Sequence, residues 1–155
     1  TADLFKAAKE AGLSTSIDTN WDPSENWDSG IVEVLRYVDV FLPNEAELLN
    51  ISKKQSLEEA LEYFQPIPTV AVKLGAKGGT AQQNNNLITA PPLAVKVVDT
   101  TGAGDTFDAG FLYGYLHGWE IEKSLQLACV CGSLSTQGIG GTSAQPTLEE
   151  ALENL

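Results

Sequence analysis

Methionine is missing from all 155 residues, histidine occurs once and cysteine twice, and basic side chains are scarce. Nine Lys and Arg stand against 21 Asp and Glu, a formal net charge of −12. That acidity excludes a nucleic acid or other polyanion as partner, because phosphate backbones are held by basic stripes. A phosphate-bearing ligand would have to be held locally, by backbone dipoles, one or two lysines and a divalent cation. No apolar run approaches the ~18 residues of a membrane-spanning helix, and no charged segment followed by a short apolar core marks a secretory leader. Cys129 and Cys131 lie two apart in a helical stretch, so they point to different faces. They can neither bridge each other nor hold a metal by themselves, and read as small buried side chains in a reducing, cytoplasmic setting. The single His117 precedes Gly118 at a helix C-terminus, where a cation is welcome, and reads as a cap. The chain opens in mid-helix style at Thr1-Ala2-Asp3-Leu4. Without any Met, it reads as a fragment or a chain whose start is not shown. What is present, 43% hydrophobic, suffices for one ordinary domain.

Along the chain, periodicity and punctuation predict alternating strands and helices. Ala2–Ala11 reads as a helix stopped by Gly12, Leu13–Ile17 as a strand and Gly30–Tyr37 as a short helix. Val38–Leu42 follows as a buried strand, and Asn44–Leu49 starts another helix. Ser56-Leu57-Glu58-Glu59 reads as a capping box opening the next. Thr69–Leu74 is a strand stopped by Gly75, and residues 79–98 read as hairpin-rich around the Asn84-Asn85-Asn86 turn. Leu93–Val98, β-branched and apolar, reads as a strand. Two helices, Asp105–His117 and Glu120–Thr136, precede a glycine loop at 138–141 and a last helix capped at Thr147. Strands alternating with helices imply an α/β fold with a mostly parallel sheet flanked by helices on both faces. Ligands in such sheets sit at the carboxyl ends of the strands, and each unusual polar motif here follows a predicted strand.

The most informative of these is Asp99-Thr100-Thr101-Gly102-Ala103-Gly104-Asp105-Thr106-Phe107. Two glycines stand where a strand hands over to a helix, so backbone N–H groups can approach an anion closely, at the positive end of the helix dipole. Asp105 begins the helix, placed to meet a proton. Phosphoryl transfer needs such a pair: donors for the charge on the transferring group and a carboxylate to orient and deprotonate a hydroxyl. Read locally, the same residues are a tight turn with a capping Asp.

The run from Asp99 to Leu112, DTTGAGDTFDAGFL, resembles the C-terminal signature of the ribokinase-like (PfkB) carbohydrate kinases. The resemblance implies an anion hole for the γ-phosphate at Gly102, Ala103 and Gly104, with Thr101 before it, and Asp105 as catalytic base. It covers essentially the whole chain but only the second half of a complete family member. The N-terminal half and a β-lid over the sugar would be missing, and 1–155 would be the nucleotide-binding and catalytic portion. Three further motifs are similar to the family's. Asp18-Thr19-Asn20 resembles an Asp-x-Asn loop near phosphates and sugar, which makes Asp18 and Asn20 substrate candidates. Where many members carry an Arg after it, this chain has Asp22, and a plain Asx turn with Trp21 and Trp27 over it reads equally well. Asn44-Glu45-Ala46-Glu47 resembles an Asn-x-x-Glu motif that organises Mg²⁺ and phosphate through Asn44 and Glu47. It is also a capping box, and a helix start can present its Glu to a hydrated metal. Lys73-Leu74-Gly75-Ala76-Lys77-Gly78 resembles a Lys-x-Gly-x-x-Gly segment at the nucleotide. Gly75 and Gly78 become ATP contacts and Lys73 a phosphate or structural partner, against a plain strand stop and turn. Residues 131–143 resemble the adenine-side and monovalent-cation loop, with Asp99, Thr101 and Ser143 around K⁺, largely through carbonyl oxygens.

Taken together, the resemblance implies ATP-dependent, Mg²⁺-assisted phosphorylation of a hydroxyl on a small sugar. Pairing of the full-length protein through the lid is also implied. Two alternatives stay open: a nucleotide-binding fragment without turnover of its own, and a related kinase for nucleosides or pyridoxal-type alcohols.

Overall fold

The computed structural model describes residues 1–20, 22–23, 25–27 and 30–155. The expected packing of Trp21 lies outside them. Two compact units emerge, residues 1–72 with 82–86, and residues 73–81 with 87–155.

The first unit holds α1 (Ala2–Glu10), β1 (Ser16–Ile17), α2 (Ile31–Leu35), β2 (Val40–Phe41), α3 (Glu45–Ser52), α4 (Leu57–Tyr63) and most of β3 (Thr69–Lys73). β1 pairs parallel with β2, Ser16 facing Val40, and β2 with β3, Val40 facing Thr69. β2 and the centre of β3, Val70–Val72, are continuous apolar runs rather than alternating ones, as suits strands covered on both faces. Val40, Phe41, Val70, Ala71 and Val72 are all essentially inaccessible, and Leu48 and Leu61 are buried from α3 and α4. Each fully buried Leu or Phe contributes about 1.5–3 kcal/mol. Phe64 meets Phe41 edge to face at 5.2 Å.

β1 is shorter than the expected 13–17, and at Thr15 side-chain bonds add to the backbone N–H groups of Asp39 and Val40 that both donate to Thr15 O. Thr15 N–H and hydroxyl both donate to Asp39 Oδ2, and Lys9 Nζ donates to Oδ1 at 2.6 Å. Burial works to raise the Asp39 pKa, but these hydrogen bonds and the Lys9 charge outweigh it and hold the carboxyl below its ordinary value. The expected capping box at Ser56 is half made. Ser56 Oγ accepts the Glu59 N–H, while the Glu59 carboxylate reaches Gln55 N–H instead of Ser56.

The second unit holds a single 3-10 turn (Gly75–Lys77), most of the strands β4 (Gly79–Gln83) and β5 (Asn86–Ala90), and α5 (Ala103–Leu116), α6 (Ile121–Ser135) and α7 (Leu148–Leu152). The strands form one sheet in the order β1-β2-β3-β4-β5, mostly parallel and flanked by helices. Asn84 and Asn85, both at positive φ (50° and 63°), make the β4–β5 turn in the left-handed conformation that favours Asn.

α5 and α6 pack closely because glycine keeps their contact thin. A Cβ on Gly110 would stand 3.0 Å from Ala128 Cα, and one on Gly114 2.5 Å from Ser124 Oγ. Leu127, Val130, Cys131 and Ala151 form a core there with Leu93, Tyr113 and Trp119. Both cysteines are unpaired and buried, and burial pushes their thiols up to about 12 for Cys129 and about 11 for Cys131. His117 caps α5 as expected, with Nδ1 2.7 Å from Tyr113 O and its ring stacked on Tyr113.

The predicted strand at Leu93–Val98 is not one. Leu93 N–H goes to Ser133 Oγ, and Val98 and Asp99 N–H both go to Thr136 O. The end of α6 supplies the acceptors that a neighbouring strand would have supplied.

Candidate active site

The glycine loop before α5 is held in shape by Asp99. Its Oδ1 accepts the Thr101 N–H at 3.0 Å and hydroxyl at 2.8 Å, and its Oδ2 accepts the Gly140 N–H at 2.8 Å. Those donors, the Thr101 N–H foremost, hold its carboxyl below the ordinary Asp value. Gly102 is left-handed (φ 73°, ψ 2°), and a Cβ there would stand 2.7 Å from Gly141 O. The two glycine loops therefore lie backbone to backbone. Ser143 Oγ donates to Ile139 O at 2.6 Å and closes the second loop on itself.

α5 starts at Ala103 with no side-chain cap. The first turn of a helix leaves its N–H groups without intrahelical acceptors. Thr101 N–H is committed to Asp99, and Ala103 N–H makes a turn bond to Thr100 O. Thr106 closes the turn from below, its N–H and hydroxyl both on Gly102 O. Asp105, third in the helix, is exposed beside these donors.

Beneath the loop, Lys73 leaves β3 and donates to Asp108 Oδ2 at 3.0 Å, both side chains nearly buried (12% and 11% exposed). A Cβ on Gly104 would rest 3.5 Å from Lys73 Cδ. Gly75 (φ 58°) opens the turn after the strand, and Gly78 closes it, its N–H on Gly75 O. Gly78 sits at φ 87°, ψ −125°; a Cβ would overlap Ala90 O at 2.1 Å.

Lys73, Gly75, Gly78 and Gly104 share a cleft of about 490 Å³ with Leu93, Val95, Phe107, Cys129, Ser133 and Thr136. That is the size of a small-molecule site, mostly apolar with a few polar groups. The pfkB family carbohydrate kinase pattern matches residues 1–148. The chain belongs to this family.

The chain is 36% identical over 124 residues to the ribokinase of Lactococcus lactis, covering 80% of this chain and 41% of that protein. A sugar kinase of Archaeoglobus fulgidus is 35% identical over 136 residues, covering 86% and 54%. Among solved structures, Vibrio cholerae fructokinase with fructose, ADP and calcium is 32% identical with a TM-score of 0.87, over 99% of this chain and 54% of that one. Arabidopsis thaliana ribokinase with ribose and ATP is 30% identical with a TM-score of 0.83, over 98% and 50%. The chain thus spans about half the length of the pfkB relatives it matches.

The remaining motif residues of this pfkB chain lie in the first unit. Asn44 and Glu47 do form a complete capping box: Asn44 Oδ1 accepts Glu47 N–H at 2.9 Å, and Glu47 Oε2 accepts Asn44 N–H at 2.8 Å. Glu47 is buried, and Thr19 Oγ1 also reaches its Oε2 at 3.4 Å. Asp18 and Asn20 are exposed. Asp22 Oδ2 accepts the N–H of buried Trp27 at 2.8 Å. Among the described residues, no cluster of three or more His, Cys, Asp or Glu could hold a metal. No helix among them is long and apolar enough to cross a membrane.

Sequence reasoning missed Asp108, although it lies inside the signature, three residues after Asp105. It also missed the cleft wall from Leu93 to Val97 and at Cys129. A carbonyl such as that of Thr136 leaves no trace in side-chain identity.

Proposed function

We propose that this chain is the nucleotide-binding and catalytic part of a kinase that transfers the γ-phosphoryl group of ATP to a hydroxyl of a small sugar. One observation carries the reading: an exposed carboxylate, Asp105, stands in the first turn of α5, beside a glycine loop that borders a nucleotide-sized cleft. Asp105 orients the attacking hydroxyl and accepts its proton. The base need not be strong, because a loose transition state releases that proton late. The backbone of Gly102, Ala103 and Gly104, with the helix dipole behind it, takes the charge on the phosphoryl oxygens. Gly75 and Gly78 let backbone lie against the nucleotide, and Lys73 serves its phosphates. Asp18 and Asn20 face the sugar.

A divalent ion such as Mg²⁺ would assist. This metal takes one or two carboxylates and completes its shell with water and phosphate oxygens, so a three-acid cage is not required. Asn44 and Glu47 would hold it, and when bound it neutralises charge on the donor phosphates. K⁺ would sit among carbonyls near Asp99, Thr101 and Ser143, where the Asp99–Gly140 bond already draws the two loops together.

The half-length match supports a second reading, a nucleotide-binding piece that turns over only with further residues. Both are tested by assaying the intact protein for Mg²⁺-dependent ADP release with fructose, ribose and nucleosides, beside Asp105→Asn. A general base contributes about 10²–10⁴ in rate, so the variant should bind ATP but show no measurable turnover. Wild-type-like turnover in Asp105→Asn would refute the assignment. ATP binding without release to any acceptor would favour the second reading.

A further inference from the structure

Lys73 is the one cationic side chain lining the cleft among the described residues. It is nearly buried, and its stem runs beneath Gly104, with Nζ 3.7 Å from where a Cβ of that residue would stand. Its ammonium is engaged by Asp108 Oδ2 at 3.0 Å, from one turn further along α5. Nothing in fold stability explains keeping such a pair, since apolar residues of similar volume usually serve as well or better. The location does explain it. A bare buried ammonium under an anion loop would attract phosphate strongly, because a charge pair in a partly dry site is screened little. A carboxylate 3.0 Å from it cancels part of that field while fixing where the ammonium points.

We propose that Asp108 is a positioning residue of the phosphate site: it fixes the Lys73 ammonium beneath Gly104 and lowers the affinity of the loop for polyphosphate, so that nucleotide is released. This rests on the kinase reading above and assigns the affinity control to one buried carboxylate. Asp108→Asn keeps an oxygen acceptor for Lys73 but removes the opposing charge. Lys73→Met removes the cation and keeps the stem.

The experiment is calorimetric titration of the intact protein and its variants with ADP and, separately, with adenosine. Asp108→Asn should bind ADP about tenfold tighter and Lys73→Met about tenfold weaker, while adenosine affinity stays within twofold in both. A residue that only supports the fold would shift both ligands together. ADP should also raise the melting temperature of Asp108→Asn more than that of the wild type, because a ligand held more tightly by the folded state stabilises it more. If Asp108→Asn does not fold, the double change Lys73→Met with Asp108→Leu replaces the pair by an apolar one. It should bind ADP more weakly than the wild type, for want of the cation, but no more weakly than Lys73→Met, which keeps the opposing carboxylate. Wild-type ADP affinity in these variants, or equal shifts for ADP and adenosine, would overturn the proposal and leave the kinase reading standing. Absence of ADP binding in the wild type would overturn both.

Discussion

Asp99 receives the backbone N–H of Gly140 at 2.8 Å across 41 residues of chain, while its other oxygen receives the N–H of Thr101. One carboxylate thereby joins the two glycine loops, and the bond is tied to its ionised form. The folded pKa is lowered, so the stabilisation is full above the unfolded value of about 3.9 and is lost as pH falls through the folded one. The Gly140 amide resonance should therefore titrate in acid, with a midpoint below the ordinary Asp value. In Asp99→Ala it should be pH-independent and already shifted. A Gly140 amide that ignores both pH and the substitution would sink this account.

Gly114→Ala should destabilise the protein although it improves helix propensity. Alanine favours a helix interior over glycine by about 1 kcal/mol. Here the new methyl would meet Ser124 Oγ at 2.5 Å and Ser124 Cβ at 2.8 Å. Overpacking typically costs about 1–3 kcal/mol, so a net loss of roughly 1 kcal/mol in urea unfolding is expected. Adding Ser124→Gly should restore part of it. Unchanged or raised stability in Gly114→Ala would mean that α5 and α6 are not in this contact.

The strongest backbone requirement is at Gly78. Its φ of 87° with ψ of −125° suits almost no side chain, and the space is filled by Ala90 O. Gly78→Ala should lose about 3 kcal/mol or more, far more than the same change at Gly12, which has a positive φ but open space. Thermal melts of the two variants make the comparison.

The thiols of Cys129 and Cys131 should be inert in the native protein. Burial raises them to about 12 and about 11, and the thiolate is the reactive form. A disulfide reagent at neutral pH should titrate no thiol in the folded chain and both after unfolding in guanidinium. Rapid reaction of Cys129, which lines the cleft, would show that the cleft opens readily.

Helix starts were legible in the sequence because short-range interactions make them. Asn44 with Glu47 and Thr147 with Glu150 are capping boxes whose partners stand three residues apart, and both are present in full. The placement of motifs after β1, β2 and β3 was equally legible, since apolar runs and glycines mark strand ends. The DTTGAGDTFDAGFL run also carried the family.

Composition failed at Leu93–Val98. β-branched residues favour an extended backbone, but whether it joins a sheet depends on what stands beside it, and here that is the end of α6.

What the sequence by itself determined, then, is local: which segments are helical, where glycine frees the backbone, and which carboxylate opens α5. Tertiary structure alone decided the pairings that give those residues an environment. Lys73 meets Asp108 across 35 residues and Asp99 meets Gly140 across 41. No periodicity encodes such distances, because a hydrogen bond or ion pair specifies its geometry only after packing has brought both partners out of water.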